Sequence, residues 1–353
     1  MQDGDTQTAK RDGLNHIILC AIGSSGDVHP FVGLGRALRL RGYRVTVVTA
    51  GYFRNLVEQA GLEFVDPLPA IAFREMIRDP RIWHPLRGTR TIIDLAVRPL
   101  LEPVYRSIID HQTPGHTLVC GSSLAFGARV AQEAQGIPLV SIHLAPMLFR
   151  SDFEGPPLPV LRVHRGPAWL RRLQWWLVDN VSDRAICPWL NEFRGRFGLP
   201  PVRHVFREWM HSPLRLIAMF PEWFAPRQPD WPPQTRLIGF PLYSEEGVVE
   251  PSPEVVRFID AGQPPLVFTP GSAYLFGHDF FAAAADACGR LGQRGLLLTR
   301  FPEQVPANLP ADVRHVDFAV ADRCRSLAAR LADAEGLDRG CDAIEEAWAA
   351  RRG

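Results

Sequence analysis

Apolar positions along this chain fall into short unbroken runs that alternate with longer stretches of helical period. Residues 15–22 (NHIILCAI) form such a run, the pattern of a strand buried on both faces. GSSGDVHP interrupts it. Phe31, Leu34, Ala37 and Leu38 then recur on one helical face, with Pro30 suited to a first helical turn and Gly42 to a stop. Residues 43–50 (YRVTVVTA) predict a second strand, 51–60 a helix closed by Gly61, and 62–65 (LEFV) a third strand. This βαβαβ order predicts an α/β fold with a parallel, doubly wound sheet. The pattern returns as a strand at 117–121, a helix at 124–135 ended by Gly136, and a strand at 138–143.

Residues 151–213 differ, being rich in tryptophan and arginine, and read as irregular loop followed by helices. The segments 215–220 (RLIAMF) and 235–240 (TRLIGF) resume the sheet, and 241–263 reads as an acidic, proline-bearing linker. A second α/β unit starts at 266 with the strand LVFTP and the turn GSAYLFGHD. An Ala-rich helix at 279–291 and strands at 295–299 and 313–318 follow. The domains expected are a tail at 1–13, an N-terminal Rossmann-like domain at 14–240, the linker, a partial second domain at 264–318 and terminal helices at 319–353. A doubly wound domain has five or six strands, and the second unit shows three, a deficit of roughly 60–90 residues.

Length changes little in this picture: 353 residues fit two domains. A net charge of +1 leaves no cation excess for phosphate neutralisation, which argues against a nucleic-acid binder. The six cysteines are scattered, with no CxxC, as expected for reduced thiols; no metal site is expected. The polar start MQDGDTQTAKRDG has no signal-peptide character, and no apolar run is long enough to span a bilayer, so a cytoplasmic protein is expected.

The chemistry concentrates at GSSGDVHP. A strand, a glycine-rich turn and a helix N-terminus together bring unpaired N–H groups and a positive dipole end to one place. GSSG is neither GxGxxG nor a GK[ST] phosphate loop, and no GxSxG elbow occurs. On position alone, Asp27 is either a helix cap or part of a site.

The stretch AIGSSGDVHPFVGLGRALRLRGYRVTVVTAGYFRNLVEQAGLEF resembles the N-terminal domain of family 1 GT-B glycosyltransferases, in the sterol-glucosyltransferase-like and bacterial natural-product branch. LVCGSSLAFGARVAQEAQGIPLVSIHLAPMLF, PEWFAPRQPDWPPQTRLIGFPL and PPLVFTPGSA extend the resemblance over nearly the whole chain. It implies two Rossmann-like domains facing a cleft, with the terminal helix folded back on the first. The implied reaction is inverting hexosyl transfer from a UDP- or TDP-hexose, without cofactor, to a hydroxyl of a lipid, sterol-like or natural-product acceptor. Other branches carry a catalytic histidine after a glycine in the first loop; here Gly26-Asp27 stands at that place. The carry-over therefore makes Asp27 the general base and His29 the reserve candidate. Ser24, Ser25, Gly26, Ser122, Ser123 and His143 become acceptor-binding candidates. For Ser122 and Ser123, capping of the helix at 124 is an equal alternative. Gly271 and Ser272 are the donor-binding candidates.

The family's His-rich, Gly-Gly-containing turn and acidic-Gln pair for the donor have no counterpart here, which implies an internal deletion. A catalytically inactive acceptor-binding remnant is the alternative function. His315, in a strand-like run, reads as structural. Residues 161–190, with Arg162, Arg165, Arg171 and Arg172 among tryptophans, leave three readings open: core packing, a greasy acceptor mouth or a peripheral membrane contact.

Overall fold

The computed structural model describes residues 13–67, 78–84, 87–154, 167–243, 252–271, 274–316 and 335–351. β1 (His16–Cys20) is buried at every position and feeds α1 (Ser25–Leu40). β2 (Arg44–Val48), α2 (Arg54–Gln59) and β3 (Glu63–Val65) complete the first βαβαβ unit. A helical run from Gly88 passes through a π-helical stretch, Ile93–Val97, into α3 (Arg98–His111). β4 (Thr117–Ser122), α4 (Phe126–Gln135) and β5 (Leu139–His143) follow. α5 (Ala168–Gly195), β6 (Arg215–Ala218) and β7 (Thr235–Leu237) end this part. All pairings are parallel, and the strand order is β3-β2-β1-β4-β5-β6-β7.

The second sheet follows α6 (Pro253–Asp260) and contains β8 (Leu266–Phe268), β9 (Gly295–Leu298) and β10 (Val313–Val316), with α7 (His278–Leu291) between the first two. It is parallel, in the order β10-β9-β8. That is the 3-2-1 half of a doubly wound plan. Among the described residues β8 is one of its two edges, and Leu266 and Val267 there are exposed.

The C-terminal helix α8 (Gly336–Ala350) returns to the first sheet. Cys341, Ile344, Ala347 and Trp348 join the core containing Phe31, Leu34 and Leu38 of α1. Close approach depends on two glycines of α8. A Cβ on Gly336 would stand 2.6 Å from the Phe240 carbonyl oxygen, and one on Gly340 would stand 3.0 Å from Ile238. Arg41, at the end of α1, reaches Asp342 at 2.6 Å and Asp338 at 3.1 Å.

Several boundaries differ from the sequence reading. α1 begins at Ser25, so Pro30 lies inside the helix and not in its first turn. The helix tolerates it because Gly26, whose carbonyl loses its N–H partner, is exposed. The segment read as linker contains α6, capped by Ser252 Oγ accepting the Val255 N–H at 3.3 Å. Within the Trp/Arg segment, read as loop followed by helices, the described residues form a 28-residue helix from Ala168 and a short π-helical turn, Val205–Trp209. The five described cysteines are all unpaired.

Candidate functional site

Strand order reverses direction between β1 and β4, so the connections after these two strands leave on opposite faces of the sheet. In open α/β sheets this switch point leaves a crevice at the carboxyl ends of the strands, where ligands bind. GSSGD lies after β1, and Ser122-Ser123 closes β4. The two connections are tied together: Ile22 N–H donates to Ser122 Oγ at 3.1 Å.

Asp27 occupies the third position of α1 and folds back over its start. Its Oδ2 accepts the Ser24 N–H at 2.7 Å and the Ser24 Oγ–H at 3.0 Å. The carboxylate thereby satisfies a donor at the helix terminus that would otherwise lack a partner. Gly23 makes room for it: φ is +144°, and a Cβ there would lie 2.2 Å from Asp27 Oδ2. Burial raises the Asp27 carboxyl above its ordinary value, against the opposing pull of the two Ser24 hydrogen bonds. Capping and a raised proton affinity therefore coexist in one half-buried side chain. Ser25 is half-buried and Gly26 exposed in the same turn. His29 lies one turn on, and its Nδ1–H donates to the Ser25 carbonyl at 2.8 Å.

Ser122 and Ser123 are half-buried and line a small recess with Arg129 and Ser141. Arg129 donates from Nε to the Trp209 carbonyl at 3.0 Å and faces Glu133 at 3.3 Å. Burial pushes the Arg129 guanidinium down to about 10.

His143 lies elsewhere. It ends β5 fully buried, with Nε2 3.0 Å from His211 Nδ1 and its ring edge-on to Phe149. Burial drives His143 well below the usual imidazole value and His211 down to about 4, so both are neutral near pH 7. The structure thus gathers Ser24, Ser25, Gly26, Asp27, His29, Ser122 and Ser123 at one end of the sheet and puts His143 in the interior beside it. His211 carried no sequence signal, because the pair forms across 68 positions of chain.

In the second unit, Gly271 follows β8 exposed, with φ +111° and open space where a Cβ would sit. Ser272 lies outside the described residues. The chain just beyond is held by buried Gln304, which accepts the Gly277 N–H at 2.9 Å and donates to the Tyr274 carbonyl at 3.0 Å. The sequence reading missed this clamp. His315 Nε2–H donates to the Thr299 carbonyl at 2.9 Å, a structural role.

Contacts among the described residues join the halves. Arg300, after β9, donates to Tyr52 Oη after β2 at 3.3 Å, and Tyr274 packs edge-on to Trp83 with centroids 4.9 Å apart. Arg300, Tyr52 and Tyr274 all follow the carboxyl ends of their strands. The carboxyl edges of the two sheets therefore face one another.

A profile of the glycosyltransferase family 28 N-terminal domain matches residues 17–150. O-mycaminosyltylonolide 6-deoxyallosyltransferase of Streptomyces fradiae is 30% identical over 330 residues, covering 86% of this chain and 72% of that one. Sterol 3-beta-glucosyltransferase UGT80B1 of Arabidopsis thaliana is 26% identical over 271 residues, 72% of this chain; the chain spans 42% of that protein. Among solved structures, the glycotransferase of kitacinnamycin superposes with a TM-score of 0.55 at 16% identity, covering 96% of both chains. Kinship over most of the Streptomyces protein, on an architecture of two facing parallel sheets, means that the chain belongs to the GT-B glycosyltransferases, alongside natural-product and sterol enzymes.

Proposed function

We propose that this glycosyltransferase moves a hexosyl group, with inversion, from a nucleoside diphosphate sugar to a hydroxyl of a lipid, sterol-like or natural-product acceptor. The observation that carries this reading is the Asp27 carboxyl at the switch-point crevice, half-buried and with raised proton affinity. In the reaction Asp27 takes the acceptor proton as that oxygen bonds to the anomeric carbon. The bond from that carbon to the diphosphate oxygen breaks, and the nucleoside diphosphate leaves with the electron pair. Ser122 and Ser123 border the acceptor, and Ser24, Ser25 and Gly26 shape the wall nearest the base. His29 is the reserve base, and Gly271 with Ser272 would meet the diphosphate through small side chains and N–H groups.

A base of raised affinity is a better proton acceptor, at the cost of being protonated in mild acid. The first test is transfer from UDP- or TDP-glucose to a sterol or macrolide alcohol by the natural chain and by Asp27→Asn. Equal rates for the two would remove Asp27 from the reaction.

A specific observation favours a second reading, an inactive acceptor-binding protein. The described second sheet is the 3-2-1 half alone, and its edge strand leaves Leu266 and Val267 exposed where a complete domain would continue. Thermal shift separates the two readings. A nucleoside diphosphate at a hundred times its dissociation constant stabilises by about 2.7 kcal/mol. A response to a hydrophobic alcohol with none to UDP or TDP favours the inactive protein. The hydrophobic acceptor class also gives a meaning to the Trp/Arg segment 161–190, as a contact with the lipid phase in which such acceptors reside.

A further inference from the structure

α5 is apolar on two sides. Its inner face buries Trp175, Ile186, Trp189, Leu190 and Phe193, with Trp175 Nε1–H donating to the Ser151 carbonyl at 2.9 Å. Its outer face exposes Trp169 (64%), Leu173, Trp176 (59%), Leu177 and Val181 (66%), which recur at three- and four-residue intervals. Phe153 and Glu154 are exposed beside the N-terminal end of the helix. The outward residues from Trp169 to Arg184 span about 22 Å at the helical rise of ~1.5 Å per residue. Isolated exposed apolar residues are ordinary, but a continuous stripe with two tryptophans marks a contact surface.

Charge selects the partner. Arg172 and Arg184 stand on the same outer face, and no carboxylate lies among the outward positions between Trp169 and Arg184. The two acids in that span are used elsewhere. Asp179 is buried between Arg150 and Arg207, and Asp183 accepts the His204 and Val205 N–H groups. Asp152, outside the helix, meets Arg172 at 2.8 Å. An apolar stripe with tryptophans, with two arginines and no acid among its exposed helical positions, is complementary to the interface of an anionic bilayer.

We propose that the outer face of α5 docks the protein on an anionic lipid surface, with Trp169 and Trp176 entering the headgroup region and Arg172 and Arg184 meeting lipid phosphates. This inference deepens the hydrophobic-acceptor reading above by naming the surface and the lipid chemistry, and its test needs no sugar transfer. The full chain is sedimented with vesicles of phosphatidylcholine alone or of phosphatidylcholine and phosphatidylglycerol, with no sugar donor present. The expected result is binding to the anionic vesicles, at least about tenfold tighter than to the neutral ones and weakened by salt. Trp169→Glu/Trp176→Glu and Arg172→Glu/Arg184→Glu should each reduce that binding by about tenfold or more. Their urea midpoints report that the fold is kept, since all four side chains are exposed. Failure of the natural chain to bind anionic vesicles overturns the proposal, as does unchanged binding by either folded double variant. A dimer in sedimentation velocity that the tryptophan variant dissociates also overturns it, because the face then belongs to a second copy.

Discussion

Asp27 Oδ2 sits 2.7 Å from the Ser24 amide nitrogen, so the carboxylate assigned to proton removal also holds the start of α1. The two roles can be separated chemically. Asparagine keeps an oxygen for the Ser24 N–H but is no base. Asp27→Asn should retain the folded stability within about 1 kcal/mol while transfer falls by roughly 10²–10⁴. Asp27→Ala should lose transfer and also about 0.5–2 kcal/mol of stability. Urea unfolding alongside initial rates distinguishes the two variants, and an asparagine variant with full activity would end the assignment.

The same side chain sets a pH dependence. Transfer requires the ionised carboxylate, and burial raises its proton affinity, so kcat/KM should fall as pH drops through a value above the ordinary 3.8. The measurement is a pH–rate profile. An acid limb at or below 3.8 would mean that burial does not govern this group.

Gly23→Ala should disturb the site without touching substrate. The new Cβ would stand 2.2 Å from Asp27 Oδ2, and alanine would be held at φ +144°. The expected cost is about 1–3 kcal/mol from backbone strain, with further loss from the displaced cap. Transfer should fall with it, read as a drop in kcat at saturating acceptor.

Buried histidines predict acid lability. His16, between Thr46 and Thr117, is driven down from 6.5 to about 4, and His211 likewise. Their folded affinities lie below the unfolded ones, so the unfolded chain binds more protons. The stability they contribute is complete above pH 6.5 and is lost as pH falls from there toward about 4. Urea midpoints should decline through that window. A flat profile between pH 6.5 and 4.5 would contradict the neutral, buried state of both rings.

α8 allows burial to be weighed against charge. Trp348→Ala should cost about 3–5 kcal/mol, because the ring is fully buried in the core shared with α1. Arg41→Ala should cost about 1 kcal/mol, because its nearest acidic partners Asp338 and Asp342 are largely solvated and the more buried Glu345 stands further off at 3.4 Å. Equal losses from the two would mean that ion pairs hold the helix.

How much could be read early depends on the range of the interaction. Strand runs and helical periods are local, so β1, β2, β3 and β5 lay within the predicted segments and β4 ran one residue past its own. The first residue of α1 was set by a carboxylate folding back onto Ser24, which periodicity does not report. Ser272 and its neighbour Ala273 lie outside the described residues, as does 317–334 before α8. Of segment 161–190, Arg162 and Arg165 lie outside the described residues; the rest was ambiguous because apolar residues occur all around α5, and only the neighbours of each decide which face is interior. Trp175 found a carbonyl and a packed environment, while Trp176, one position on, was left in solvent.

By itself the sequence determined the alternation of strands and helices, the polar break after β1 with its aspartate, and kinship with a transferase family. These are encoded in consecutive residues, where burial period and turn chemistry act directly. Only the tertiary structure decided that Ser122 meets the loop after β1, that His143 turns inward to His211, that the carboxyl edges of the two sheets face each other, and that α5 bares a tryptophan face. Each of these joins positions far apart in the chain or depends on which side of an element is covered, and chain folding alone sets that.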